Sequence, residues 1–136
     1  MGRVLAIDYG QKRIGLAVTD ELKISANGLD TIHVKDIHSF IKNYVENNDV
    51  DTFVVGLPIT LDNKPSESTP FVDNFVNWLK NTFPNIKLAR IDERFTSQMA
   101  FQTMIDSGIS KKARKNKELI DKISATIILQ SYLSTI

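Results

Sequence analysis

Three acidic residues stand at positions that packing alone does not account for. Asp8 ends a short apolar run, Glu93 directly follows another run, and Asp121 lies near the start of a largely apolar helical segment. Aspartate is unfavourable in a strand, and burying a carboxylate is costly. Structural roles are also open: Asp8 could cap a turn, Glu93 could form a surface ion pair, and Asp121 could interact with the helix dipole. Carboxylates held together repel unless cations neutralise them, and hard divalent ions prefer oxygen ligands. The three acids therefore predict a site for Mg²⁺ or Mn²⁺ of the kind that cleaves phosphodiester bonds.

Side chains suited to phosphate accompany these acids. Lys12 and Arg13 fall in the first predicted hairpin, and Arg94 and Thr96 follow Glu93. A later run concentrates positive charge in the residues Lys111, Lys112, Arg114, Lys115 and Lys117. The whole chain has 17 basic and 16 acidic residues, so this run is a cationic patch on an otherwise acidic body. These donors predict contact with a nucleic-acid backbone, although the run also fits a solvated loop or helix start.

Length and composition exclude several classes of protein. A chain of 136 residues predicts one domain over residues 1–136. Because it has no cysteine, it can hold no disulfide framework, thiolate zinc site, iron–sulfur cluster or cysteine nucleophile. The GxxxxGK[ST], GxGxxG and HExxH motifs are absent from the sequence. It contains neither an apolar run of the roughly 18 residues a membrane helix needs nor a signal-peptide core, so we expect a cytoplasmic protein that is not bound to a membrane.

The pattern of apolar residues predicts an α/β fold. Strands are predicted over 4–8, 13–19, 28–34, 52–57 and 87–91, and helices over 37–45, 72–83, 97–106 and 116–133, with a surface loop at 59–69. This order indicates a mixed five-stranded sheet flanked by helices on both faces, with ligands at the carboxyl ends of its strands. The last helix is apolar nearly all round and should be buried. We expect Trp78 to be half-buried rather than a base-stacking platform, because its neighbours supply no second exposed aromatic.

Four motifs in order carry a resemblance to a known family. They are AIDYGQKRIGLAVTD at 6–20, VGLP at 55–58, DERFTS at 92–97 and DKISA at 121–125. Together they resemble the successive motifs of the YqgF (RuvX) family, and the likeness extends over nearly the whole chain. By position, Asp8, Glu93 and Asp121 match the acidic residues of that family. Lys12, Arg13, Arg94 and Thr96 fall in motifs where substrate contact is expected.

The resemblance implies a ribonuclease H-like fold and a nuclease, most simply an endonuclease. It implies processing of the 5′ end of pre-16S rRNA during ribosome biogenesis in the cytoplasm, with RNA and ribosomal particles as partners. Two alternatives stay open: a Holliday junction resolvase acting on branched DNA, and a non-catalytic RNA-binding assembly factor. An actin-like or sugar-kinase ATPase is excluded by length, because such proteins close two domains of this kind over a nucleotide.

Overall fold

The predicted strands and helices are confirmed in the parts of the chain that the structure, a computed structural model, describes. These parts are residues 2–57, 69–92 and 117–136. The elements are β1 (Arg3–Tyr9), β2 (Arg13–Thr19), β3 (Ala26–His33), a 3₁₀ helix (Val34–Asp36), α1 (Ile37–Asn47), β4 (Val50–Leu57), α2 (Thr69–Thr82), β5 (Lys87–Asp92) and α3 (Lys117–Leu133). Only the 3₁₀ helix was not predicted. The helix expected at 97–106 lies outside the described residues, as does the loop expected at 59–69 except for Thr69, which begins α2.

One mixed sheet holds all five of these strands, as the sequence predicts. Their order is β3-β2-β1-β4-β5. The strands β1, β2 and β3 pair antiparallel as a meander, whereas β1, β4 and β5 pair parallel. The carboxyl ends of the three parallel strands therefore meet at one edge of the sheet, where open α/β sheets bind ligands.

The two faces of the sheet carry side chains of different size. One face presents large residues such as Leu5, Ile7 and Leu16, which pack with the buried sides of α1 and α2. The other face presents Ala6 and Ala17, which pack with α3. Because side chains alternate along a strand, this asymmetry follows directly from the sequence of β1 and β2. The small side chains let α3 lie close to the sheet.

Helix α3 is buried, as its apolar composition predicts. Ala125, Ile128 and Leu129 are at most 1% exposed, and Tyr132 is 7% exposed. The turn of this helix that begins at Asp121 lies over β2. In the described ranges, no helix is both long and apolar enough to cross a membrane.

The amino end of β1 is tied to its neighbours by polar contacts. The Thr19 hydroxyl accepts a hydrogen bond from the Val4 amide at 2.9 Å. Beyond β2, Lys23 has a positive φ of 58° and pairs with Asp51 at 2.6 Å. Burial alone would raise the pKa of Asp51, but hydrogen bonds from Lys23 and Thr52 outweigh it and hold the pKa below its usual value. This end of the sheet is opposite the edge where Asp8 lies.

Candidate active site

Asp8 lies at the carboxyl end of β1, on the face that α3 covers. It follows Val4 and Ala6 at two-residue spacing, and both of those residues pack against α3. Its side chain is half-buried. In the antiparallel ladder, Asp8 is paired with Gly15 of β2, which sets their Cα atoms about 4.5 to 5.5 Å apart. The alternation of side chains thus fixes the face of the sheet on which Asp8 lies, and the ladder fixes its position along β1.

At Gly15 the backbone of α3 comes very close to the sheet. A Cβ atom on Gly15 would lie 2.5 Å from the carbonyl carbon of Asp121, closer still to its oxygen, and 3.1 Å from its Cβ. Carbon atoms in ordinary contact lie about 3.5 to 4.0 Å apart, so only glycine leaves room for the helix here. The residue opposite Asp8 is therefore the one over which Asp121 lies. Two of the three predicted acids meet at one place, although they are far apart in the sequence.

Arg13 ties the first hairpin to α3. Its Nε donates to Oδ2 of Asp121 at 3.1 Å, and the two side chains are 33% and 25% exposed. A partly exposed pair of this kind contributes about 1 kcal/mol or less to stability, so its main effect is to fix the orientation of the carboxylate. Arg13 was predicted to donate hydrogen bonds to phosphate, and in the structure it donates to Asp121.

The hairpin turn between β1 and β2 presents Lys12 at the same edge. The Gly10 amide donates to the Arg13 carbonyl at 3.0 Å, which closes the turn. The Lys12 carbonyl accepts a hydrogen bond from the Val34 amide at 2.9 Å. Lys12 is exposed, so its ammonium is accessible to an anionic ligand beside Asp8.

The other predicted site residues lie outside the described part of the chain. They are Glu93, Arg94, Thr96, Lys111, Lys112, Arg114 and Lys115. Among the residues that are described, no group of three or more His, Cys, Asp or Glu side chains is placed to hold a metal ion. The described part of the site is thus a pair of acids, Asp8 and Asp121, with two basic neighbours.

Gly15 is the residue of this site that the sequence analysis did not single out. A signal for it exists, because a glycine inside a strand pattern often marks the close approach of another backbone. The sequence could not say which segment approaches. The structure shows that it is the first part of α3.

Comparison with known sequences gives full-length matches. A family model described as "RuvX: Holliday junction resolvase" matches residues 2–135. A Flavobacterium johnsoniae protein named "Putative pre-16S rRNA nuclease" is 54% identical over 135 residues, covering 99% of this chain and 98% of that protein. Proteins with the same name from Flavobacterium psychrophilum and Bacteroides fragilis are 52% and 48% identical, each match covering at least 98% of both chains.

Comparison with solved structures shows a shared fold. Fowlpox virus resolvase, solved with its substrate Holliday junction DNA, superposes with a TM-score of 0.60 at 13% identity, covering 98% of this chain and 97% of that one. Thermus thermophilus RuvC, solved with a Holliday junction substrate, gives a TM-score of 0.57 at 15% identity and covers 99% and 96%. These likenesses concern the fold, and they confirm the predicted ribonuclease H-like architecture.

Proposed function

This chain belongs to the RuvX family, and we propose that it is a metal-dependent endonuclease that processes the 5′ end of precursor 16S rRNA. The predicted class of enzyme, a nuclease, is confirmed by relatives of that name at 48% to 54% identity over almost the full chain. The observation that carries the proposal is that Gly15, which is paired with Asp8 at the carboxyl end of β1, is also the residue against which the backbone of Asp121 packs. Two acids from distant parts of the chain converge where such sheets bind ligands.

The chemistry of these donors fits a hard divalent cation. Asp8 and Asp121 offer carboxylate oxygens, which are the ligands that Mg²⁺ and Mn²⁺ prefer. Glu93 is the proposed third ligand, because it directly follows β5, whose carboxyl end shares an edge of the sheet with that of β1. When bound, the ion activates a water molecule and stabilises the leaving oxygen of the phosphodiester.

The chain itself supplies a fixed geometry for this reaction. The backbone of Asp8 is held by the β1–β2 ladder, and Asp121 is held by the close contact of α3 with Gly15. Arg13 then sets the rotation of the Asp121 carboxylate by donating to Oδ2. Acids carried by regular elements rather than by loops keep their positions when substrate arrives, which lowers the entropic cost of catalysis.

Basic and hydroxyl side chains are the proposed contacts to the RNA backbone. Lys12 is exposed on the hairpin turn beside Asp8, and Arg13 is its neighbour. The remaining proposed contacts are Arg94, Thr96, Lys111, Lys112, Arg114 and Lys115. Contacts of this kind position a phosphate backbone without reading its sequence, so ribosomal particles are the proposed source of site selection. An enzyme that matures ribosomal RNA meets this substrate in the cytoplasm, which is the proposed location.

A cleavage assay on two substrates tests the proposal. Wild-type protein, Asp8→Asn and Asp121→Asn are incubated with a 5′-extended 16S rRNA precursor and with a four-way DNA junction, each with Mg²⁺, Mn²⁺ or EDTA. Asp49→Asn is the matched control, because Asp49 is exposed at the other end of the sheet. We expect each site variant to lose more than about 100-fold in rate, beyond the 10- to 100-fold that outer-shell partners of a metal typically cost.

The pattern of cleavage separates three functions. Metal-dependent cutting of the RNA by wild type and Asp49→Asn alone supports the proposal. Cutting of the junction in place of the RNA favours the resolvase activity in the description of the family model. RNA that is bound by every variant and cut by none contradicts a nuclease and favours an assembly factor. Full activity of Asp8→Asn would exclude this acid from the reaction.

A further inference from the structure

A cavity lies at the same end of β1 as the candidate active site, but on the opposite face of the sheet. Tyr9 directly follows Asp8 in β1, and successive strand residues point to opposite faces. Tyr9 therefore packs with the core on the side of α1 and α2. It lines a cavity of about 230 Å³ together with His38, Phe71, Asn74, Phe75 and Trp78. The reaction site and this aromatic pocket thus share one end of β1.

Ring contacts build most of the pocket. In α2, Phe71, Phe75 and Trp78 recur at helical spacing and share one side of the helix. The imidazole of His38 lies nearly flat on the Trp78 indole, with ring centroids 4.0 Å apart and planes 15° apart. The Tyr9 ring lies 4.9 Å from that of Phe75. Flat aromatic surfaces arranged in this way suit a flat, polarisable ligand.

Part of this aromatic surface is exposed. Phe75 is only 3% exposed and forms the floor, whereas Phe71 at the rim is 51% exposed. Trp78 is half-buried, as predicted, but the expectation that no second aromatic is exposed beside it is wrong. Helix α2 begins at Thr69 rather than near residue 72, and this extra turn carries Phe71 to the pocket. An exposed phenylalanine next to an open aromatic floor can lie against an inserted ring.

The polar groups of the pocket favour a nucleotide over an apolar side chain. Lys42 places its Nζ 6.0 Å from the centre of the Trp78 ring, so a positive charge lies beside one of the rings that line the pocket. The six lining residues described above include no acid. Asn74 and Tyr9 line the pocket and carry groups that can hydrogen-bond the edge of a base.

We propose that this aromatic pocket binds one unpaired base of the RNA strand whose backbone reaches Asp8. The inference rests on the proposed function, because it uses the same strand of nucleic acid. Asp8 and Tyr9 are consecutive, so a strand that crosses this end of the sheet meets the acids on one face and the pocket on the other. Stacking is possible for every base, so the pocket selects single-stranded over double-stranded substrate rather than a sequence.

Trp78 reports directly on this binding, because it is the single tryptophan of the chain. Protein in EDTA is titrated with a short single-stranded oligoribonucleotide, and with an abasic oligomer of the same length and charge, while tryptophan fluorescence is followed. We expect the oligoribonucleotide to quench Trp78 and the abasic oligomer to quench it little. Because one base–aromatic stack is worth about 1 to 3 kcal/mol, Phe71→Ala should weaken affinity about 5- to 100-fold.

Two further variants control for folding and for the loss of an apolar side chain. Phe71→Tyr keeps an aromatic face and should bind as wild type does. Leu22→Ala removes another exposed apolar side chain, 60% exposed in the β2–β3 connection, and should also bind normally. Unchanged far-ultraviolet circular dichroism and thermal midpoint of Phe71→Ala confirm that it folds.

Each outcome decides between the pocket and the function. Equal affinity of wild type and Phe71→Ala, equal quenching by the abasic oligomer, or no quenching at all overturns the proposed pocket. If precursor RNA is nevertheless cut by wild type and not by Asp8→Asn, the proposed function survives that result. Quenching that depends on the base and on Phe71, in a protein that cuts no RNA, supports the pocket and contradicts the nuclease.

Discussion

Replacing Gly15 by alanine tests whether the close approach of α3 is needed for the proposed active site. The added Cβ would lie 2.5 Å from the carbonyl carbon of Asp121. The backbone of Gly15 has no positive φ, so the substitution introduces a steric contact without backbone strain. The atoms that it meets belong to the main chain of a helix, which cannot rotate away as a side chain can.

The expected size of the effect follows from that distance. Carbon atoms in ordinary contact are about 3.5 Å apart or more, so α3 must withdraw by about 1 Å at Asp121. Overpacking of this kind typically costs about 1 to 3 kcal/mol of unfolding free energy. A shift of about 1 Å in a catalytic group can cost about 100-fold in rate. We therefore expect Gly15→Ala to remain folded and to lose most of its activity.

Gly28→Ala is a matched control on the neighbouring strand. A Cβ on Gly28 would also contact α3, but it would meet Cγ and Cδ of Lys122 at 2.8 Å. These atoms belong to a flexible side chain that can move aside. Because alanine in a strand is itself favoured over glycine by about 0.5 to 1 kcal/mol, the net change in stability should be within about 0.5 kcal/mol of zero.

Urea unfolding followed by Trp78 fluorescence, together with cleavage rates on precursor RNA, measures both effects. The rates are compared without denaturant, where both variants are almost fully folded, so that a loss of activity is not a loss of folded protein. Equal stability and equal rate for Gly15→Ala and Gly28→Ala would refute the reasoning. The position of Asp121 would then not depend on the contact between helix and strand.

Three further substitutions test individual charged side chains. Arg13→Ala should lower the unfolding free energy by about 1 kcal/mol and the cleavage rate by more than about 10-fold. Lys12→Ala should change the unfolding free energy by less than about 0.5 kcal/mol and weaken RNA binding. Urea titrations measure the two stabilities, and RNA binding at several salt concentrations measures the effect of Lys12→Ala. Because the pKa of Asp51 lies below its usual value in the folded chain, its contribution is present at neutral pH and is lost as the pH falls through the folded pKa. Asp51→Asn should therefore have a lower unfolding free energy than wild type at pH 7, by under about 1 kcal/mol. The two proteins should be equally stable well below pH 3.8, and a difference in unfolding free energy that persists in acid would contradict this.

The sequence predicted the elements of the fold because its signals are local. The apolar run of β1, the turn at Gly10 and the helical spacing in α1 and α2 are each contained in a few neighbouring residues. The placement of Asp8 at the end of a strand follows from the same local signals. The meander of β1, β2 and β3 was predicted from the same signals, whereas the order of β4 and β5 beside β1 is given by the structure.

Long-range contacts could not be predicted in the same way. Arg13 and Asp121 are 108 residues apart, and no local pattern says that they are partners. Arg13 was predicted to bind phosphate, but a guanidinium binds carboxylate as well as phosphate, so the residue type alone does not identify its partner. The exposure of Phe71 was missed for another reason, since it depends on where α2 begins, and helix boundaries are weakly specified by sequence.

The difference between the two faces of the sheet explains why both proposed sites lie at the end of β1. Ala6, Gly15 and Ala17 are small, so on their face the backbone of α3 comes close to β2 and brings Asp121 over Gly15, the residue paired with Asp8. On the other face the side chains are large, and where β1 ends a cavity opens that is lined mostly by rings. Asp8 and Tyr9 belong to different faces only because they are consecutive. A shift of one residue in the register of β1 would exchange them, so the β1–β2 pairing places the acid against α3 and the ring against the pocket.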